Sequence, residues 1–162
     1  MKIGLIFQAR ANSQRLKNKI FKKIKDKTIL ELFINKILKT KRIDCVIAAT
    51  TKNKKDDRTV KIAKKNKLNI FRGSEKNVLS RFYYAAKKFE LDLIVRCNAD
   101  CPFIDAKIID KMIYNYKKIY EEINNNENFD MNDILRLLKK NPDIMKINYH
   151  IEKKQNLILK WY

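Results

Sequence analysis

Residues 2–19, KIGLIFQARANSQRLKNK, decide the fold, because an uninterrupted apolar run passes directly into a cluster of cations. Ile3, Gly4, Leu5, Ile6 and Phe7 read as a strand covered on both faces, as in parallel sheets. The loop that follows carries Gln8, Arg10, Ser13, Arg15, Lys17 and Lys19. Four cations and a hydroxyl at the end of a buried strand suit a polyanion, since charge-assisted bonds to phosphate oxygens strengthen where water is partly excluded. The competing reading is a solvated loop that collected cations from a lysine-rich chain.

Outward from this stretch, the same grammar repeats. Thr28 and Glu31 form a T-x-x-E capping box, and Ile29, Leu30, Phe33, Ile34, Ile37 and Leu38 recur at helical spacing. Cys45 to Ala49 reads as a second strand, ending in Thr50 and Thr51 and a polar segment that reaches Asp56 and Asp57. Val60 and Ala63 give a weaker helical signal. Asn69 to Phe71 makes a third strand, followed by Arg72, Gly73, Ser74 and Asn77. Val78, Leu79, Phe82, Tyr83, Ala86 and Phe89 mark an amphipathic helix, and Leu91 to Val95 a fourth strand with Arg96, Asn98 and Asp100 just past its end. Pro102 bars regular helix before Asp105 caps the next one.

Strands alternating with helices predict βαβ units, hence an α/β fold with a mostly parallel sheet and flanking helices. In each unit the hydroxyls, cations or acids gather at the carboxyl end of the strand, where open α/β sheets place ligands. The only glycines, Gly4 and Gly73, permit neither a Walker A loop nor a G-x-G-x-x-G turn. A phosphate site must therefore use side-chain cations, with Asn12 and Asn18 supplying positive-φ turns.

The 162 residues are read as a single domain, with 1–116 as an α/β half and 117–162 as a C-terminal helical segment. Ile108, Ile109, Met112, Ile113, Tyr116, Tyr120 and Ile123 hold one helical face across that division. Beyond a polar linker from Asn124 to Asn128, Asp130 is expected to cap a short helix through Ile134, Leu137 and Leu138. His150 reads as a surface residue, and Trp161 and Tyr162 close an apolar tail that can dock on the core. Cys45, Cys97 and Cys101 are expected to be buried reduced thiols, because the CxxC pairs and His partners of zinc sites are absent. No apolar run approaches the ~18 residues of a membrane helix, and the first strand begins without a leader pattern, so the expected location is cytoplasmic. The net charge of +20 invites a nucleic-acid partner, but the lysines are scattered rather than gathered on one face. Nucleic acid is not the expected partner.

Taken together, the strand-end residues resemble the acylneuraminate cytidylyltransferase family, especially its spore-coat-polysaccharide branch. Gln8-Ala9-Arg10, Ser13, Arg15-Leu16 and Lys19 resemble its opening signature. Ala49-Thr50 before Asp56-Asp57, and Phe71-Arg72-Gly73-Ser74 with Val78-Leu79 and Arg81-Phe82-Tyr83, look like its second and third blocks. Val95-Arg96 with Ala99-Asp100-Cys101-Pro102 and Ile104-Asp105 looks like the fourth. Lys17 and Asn18 replace the family's usual Pro and Gly, and Asn77 stands where an acid is usual.

The resemblance implies a Rossmann-like nucleotide-diphospho-sugar transferase fold and transfer of CMP from CTP to a sugar acid. It implies catalytic roles for Arg10, Arg15 and Lys19, nucleotide contacts from Gln8, Ser13, Thr50, Arg72, Gly73 and Ser74, and Mg²⁺ on Asp100. Without the resemblance, Asp100 reads equally well as a loop carboxylate, and Arg81, inside an amphipathic helix, as a structural anchor. From about Lys117 the chain resembles the family's extreme C-terminal segment, which implies that the family's middle, with much of its sugar-acid pocket, is missing. The rival expectation is accordingly a shortened, non-catalytic module that binds nucleotides or other polyanions.

Overall fold

The computed structural model describes residues 1–11, 16–125 and 157–160. Ser13, Arg15, Asn12, the expected helix from Asp130, His150, Trp161 and Tyr162 lie outside them. Five parallel strands form one sheet in the order β5-β4-β1-β6-β7: β1 Ile3–Gln8, β4 Cys45–Thr51, β5 Asn69–Gly73, β6 Leu93–Asn98 and β7 Leu157–Lys160. A two-stranded antiparallel hairpin, β2 Lys23–Ile24 and β3 Lys27–Thr28, stands apart. The helices are α1 Ile29–Ile37, α2 Asp57–Lys65, α3 Val78–Lys88 and α4 Ala106–Asn124.

Alternation along β1 sets the layers, because successive side chains leave a strand on opposite faces. Ile3, Leu5 and Phe7 pack with Leu30, Phe33, Ile34 and Ile37 of α1, Ala63 of α2, and Ile109, Met112 and Ile113 of α4. Ile6 faces the other way, with Ile47, Ala49 and Ile94, onto Phe82, Ala85 and Ala86 of α3. Gly4 shares this second face for lack of space: a Cβ there would lie 2.3 Å from Leu91 Cδ1.

The fourth strand starts two residues later than expected and runs on to Asn98. Leu91 closes the preceding helix instead, its N–H donating to Ala86 O after Glu90 takes φ 53°. Asp105 caps α4 as expected, Oδ1 accepting from Lys107 N. That helix runs unbroken through residues 116 and 117, and residues of the apolar tail add β7 beside β6. Not all the thiols are buried: Cys97 is, Cys45 is half-buried, and Cys101 is exposed, all three free. Burial pushes the Cys97 thiol up to about 12, so it is inert at neutral pH.

The predicted capping box forms in full: Glu31 N donates to Thr28 Oγ1, and Thr28 N and Oγ1 donate to Glu31 Oε2. Those bonds from Thr28 hold the Glu31 carboxyl below its ordinary 4.5. A lowered folded-state value gives stability that is present above 4.5 and lost as pH falls through the folded value. Glu31→Gln should therefore destabilise the protein at neutral pH and make no difference at about pH 2. Denaturant melts at the two pH values check this; an equal deficit at both would assign the effect to packing.

Candidate functional site

The strand order places a topological switch between β1 and β6, with β4 and β5 on one side of β1 and β6 and β7 on the other. Ligands of open α/β sheets bind just beyond the carboxyl ends of strands at such a point. A cleft of about 170 Å³ lies there, lined by Gln8, Ala9 and Arg10 after β1, Asn98, Ala99 and Asp100 after β6, and Lys19 and Ile20.

Several backbone devices hold the cleft. Ala9 N donates to Ala49 O, and the fully buried Thr50 hydroxyl donates to Ala9 O at 2.7 Å. Ala11 N donates to Asp56 Oδ1 at 2.6 Å, and Asn18 N donates to Ala11 O at 3.1 Å. Asn18 has φ 56°, the left-handed turn expected where the family usually has glycine. It leads into a 3-10 turn, Lys19–Phe21, whose Ile20 and Phe21 are buried, with the Arg58 guanidinium 4.5 Å over the Phe21 ring. Lys19 is thereby delivered to the cleft, where Nζ lies 2.8 Å from Asp100 Oδ2. Both side chains keep more than a third of their surface exposed, so the pair contributes little to stability.

Four of the expected site residues, Gln8, Arg10, Lys19 and Asp100, thus meet in one cleft. Thr50, Arg72, Gly73 and Ser74 stand along the same sheet edge at the ends of β4 and β5. In this arrangement the Arg72 guanidinium serves the protein itself, donating to Thr51 O, Asn53 O and Asp57 Oδ1. Ser74 Oγ accepts from Asn77 N, and Asn77, despite lacking the acid usual there, caps α3 by accepting from Ser80 N. Gly73 is required by close packing, since a Cβ would lie 2.8 Å from Phe71 Cε1 and 3.1 Å from Arg81 Cγ.

Two residues matter more than the sequence suggested. Asp56, 2% exposed, accepts from Ala11 N and from both the amide and the hydroxyl of Thr51, tying the first loop to β4. Its signal was only its place beside Asp57. Arg81, 1% exposed, donates to Ser74 O, Glu75 O and Gln8 Oε1, which supports the reading as an anchor. Burial, and then Arg10, lower its pKa, opposed by Asp56 and Glu75.

Among the described residues, no three or more His, Cys, Asp or Glu side chains converge as a metal site. A single accessible carboxylate, Asp100, still suits Mg²⁺, which is commonly held by one or two carboxylates plus substrate phosphates and water.

The pattern of the family described as cytidylyltransferase matches residues 4–157. The chain is 45% identical over 113 residues to an uncharacterized protein of Methanocaldococcus jannaschii, covering 70% of this chain and 46% of that one. It is 30% identical over 115 residues to the spore coat polysaccharide biosynthesis protein SpsF of Bacillus subtilis, covering 68% and 48%. Among solved structures, a cytidylyltransferase from Leptospira borgpetersenii superposes with a TM-score of 0.68 at 42% identity, over 70% of this chain and 48% of that one. The CMP:2-keto-3-deoxy-manno-octonic acid synthetase complexed with CTP superposes at 0.64 with 19% identity, over 73% and 48%, a likeness of fold. This chain belongs to the cytidylyltransferase family. It spans about half the length of the curated relatives it matches. Among the described residues no helix is long and apolar enough to cross a membrane.

Proposed function

We propose that the chain binds CTP in the cleft between β1 and β6 and serves the transfer of CMP to a sugar acid of the acylneuraminate type, in surface polysaccharide or glycan biosynthesis in the cytoplasm. The observation that carries this reading is the meeting of Lys19 and Asp100 at 2.8 Å beside Arg10, at the switch point of a parallel sheet. The likeness to the Bacillus subtilis spore coat polysaccharide biosynthesis protein and to the synthetase complexed with CTP supports it. In the reaction, the sugar-acid hydroxyl forms a bond to the α-phosphorus of CTP as the bond to the β-phosphate oxygen breaks and pyrophosphate leaves. Arg10, Arg15 and Lys19 neutralise the charge that grows on the leaving group, which is electrostatic stabilisation of the transition state. Ser13 donates to a phosphate oxygen, and Gly73 and Ser74 at the end of β5 face the nucleoside, while Thr50, buried against Ala9 O, and Arg72, bonded to Thr51, Asn53 and Asp57, hold that edge in shape. Asp100 would hold Mg²⁺, which when bound would supply further neutralisation of the phosphates.

The test is pyrophosphate release with CTP, Mg²⁺ and a panel of sugar acids, beside binding of CTP, UTP, ATP and GTP. Indifference to the base would sink the CTP assignment. A second reading, a polyanion-binding module without transfer, is favoured by the charge of +20 and the half-length match. It predicts a steep loss of nucleic-acid affinity with salt through counterion release.

Arg15 separates binding from folding. With Arg15 read from the sequence as a loop cation, Arg15→Ala should change stability by no more than about 0.5 kcal/mol, while a lost bond to a charged phosphate costs roughly 1.5 to 3 kcal/mol of binding. CTP affinity should therefore fall about tenfold or more. Unchanged affinity with a collapsed melting temperature would make Arg15 structural.

A further inference from the structure

Arg81 is a buried guanidinium with no ion pair among the described residues, and what it does to its neighbours follows from hydrogen-bond polarity alone. A guanidinium can only donate. Arg81 Nη2 lies 3.3 Å from the Gln8 side chain, so Gln8 must turn its oxygen toward it. The flipped amide would set donor against donor beside the buried guanidinium and forfeit that bond. With Oε1 so fixed, Gln8 Nε2 faces Asn98 and donates to its Oδ1 at 3.1 Å. Asn98 in turn has its oxygen committed, and its amide nitrogen has no partner among the described residues. Gln8 and Asn98 both line the cleft that holds Arg10, Lys19 and Asp100.

We infer that Arg81 is a positioning residue: through Gln8 it fixes the Asn98 side chain with the N–H end free to donate to an oxyanion of the bound substrate. The inference rests on the reading of the cleft as a CTP and sugar-acid site. The oxyanion is a phosphate oxygen of CTP or the carboxylate of the sugar acid; both are acceptor-only groups, matched by the donor that Asn98 offers. Arg81 touches neither; it acts along the chain Arg81, Gln8, Asn98.

A double-mutant cycle tests the relay with charge-neutral variants, Gln8→Met and Asn98→Leu, and calorimetric titration of CTP and, with a non-hydrolysable CTP analogue present, of the sugar acid. Each single variant should weaken one of these ligands about tenfold, and the double variant should be no weaker than Asn98→Leu alone. The ligand affected identifies the oxyanion. Additive losses, or full affinity for both ligands in Asn98→Leu, would overturn the inference. In the free protein, Gln8→Met and Arg81→Lys should both shift the Asn98 side-chain amide resonances, and unmoved resonances would overturn it whether or not CTP binds. The same shifts in the variants, together with no CTP binding by the wild-type chain, would leave the relay standing and remove the CTP reading.

Discussion

Incubated with CTP, Mg²⁺ and sugar acids, the 162-residue chain should bind the nucleotide and yet release pyrophosphate far more slowly than the roughly 1 to 10³ per second ordinary for enzymes. Every group proposed for phosphate, nucleoside or metal lies before Pro102. The chain covers less than half of the relatives it matches, and these residues are assigned to the nucleotide side of the reaction. In-line attack needs the hydroxyl aligned with the α-phosphorus, and positioning of this kind can supply about 7 to 11 kcal/mol of a barrier. Cations that stabilise the leaving group do not replace it. Asp100→Asn should in addition remove the Mg²⁺ dependence of CTP binding, measured by titration with and without the metal. Turnover in the ordinary range with any sugar acid would show that this chain builds a complete acceptor site.

Asp56→Ala should have the largest effect on stability of any single change near the cleft. Its buried carboxylate accepts from Ala11 N, Thr51 N and Thr51 Oγ1, and bonds to charged groups are worth roughly 1.5 to 3 kcal/mol each. Truncation leaves donors of Ala11 and Thr51 without that acceptor; water entering the vacated space recovers part of the sum, and a loss of about 3 kcal/mol follows, or about 6 to 12 °C in melting temperature for a chain of this size. CTP affinity should fall as well, because Ala11 anchors the loop between Arg10 and Lys19. A melting temperature within about 2 °C of wild type would show that the loop holds its shape without this carboxylate.

The central strands were legible because their apolar runs are short and bounded by polar residues, and the parallel sheet followed from the helices between them. The hairpin of Lys23–Ile24 and Lys27–Thr28 was not: its four residues carry no alternating apolar pattern, and its turn uses Lys25 at φ 54° where glycine or asparagine would have announced it. The start of β6 was missed because Leu91 is apolar in either role, and only the left-handed Glu90 assigns it to the end of α3. Of the site, the cations and Asp100 could be read as chemistry because they sit beyond strand ends. The work of Asp56 could not, since its partner Ala11 lies 45 residues away. Arg81 reads as an anchor from its place in an amphipathic helix, but its bond to the Gln8 side chain, 73 residues away, was not legible. Positive φ at Asn18 was expected, whereas Lys67 at φ 55° shows that this chain also takes such turns with lysine.

The central position of β1 bears on how the chain acquires its site as it is made. Gln8 and Asn98, which meet across β1 and β6, are separated by 90 residues, and such distant pairings form slowly because loop closure precedes any reward. While β4 and β5 can join β1 early, the β6 side of that strand stays an open edge until residue 98 has emerged. An open apolar edge invites pairing with other chains. Nascent chains halted between β5 and β6 should therefore be those most prone to aggregate, and the cleft becomes available only once that hazard has passed.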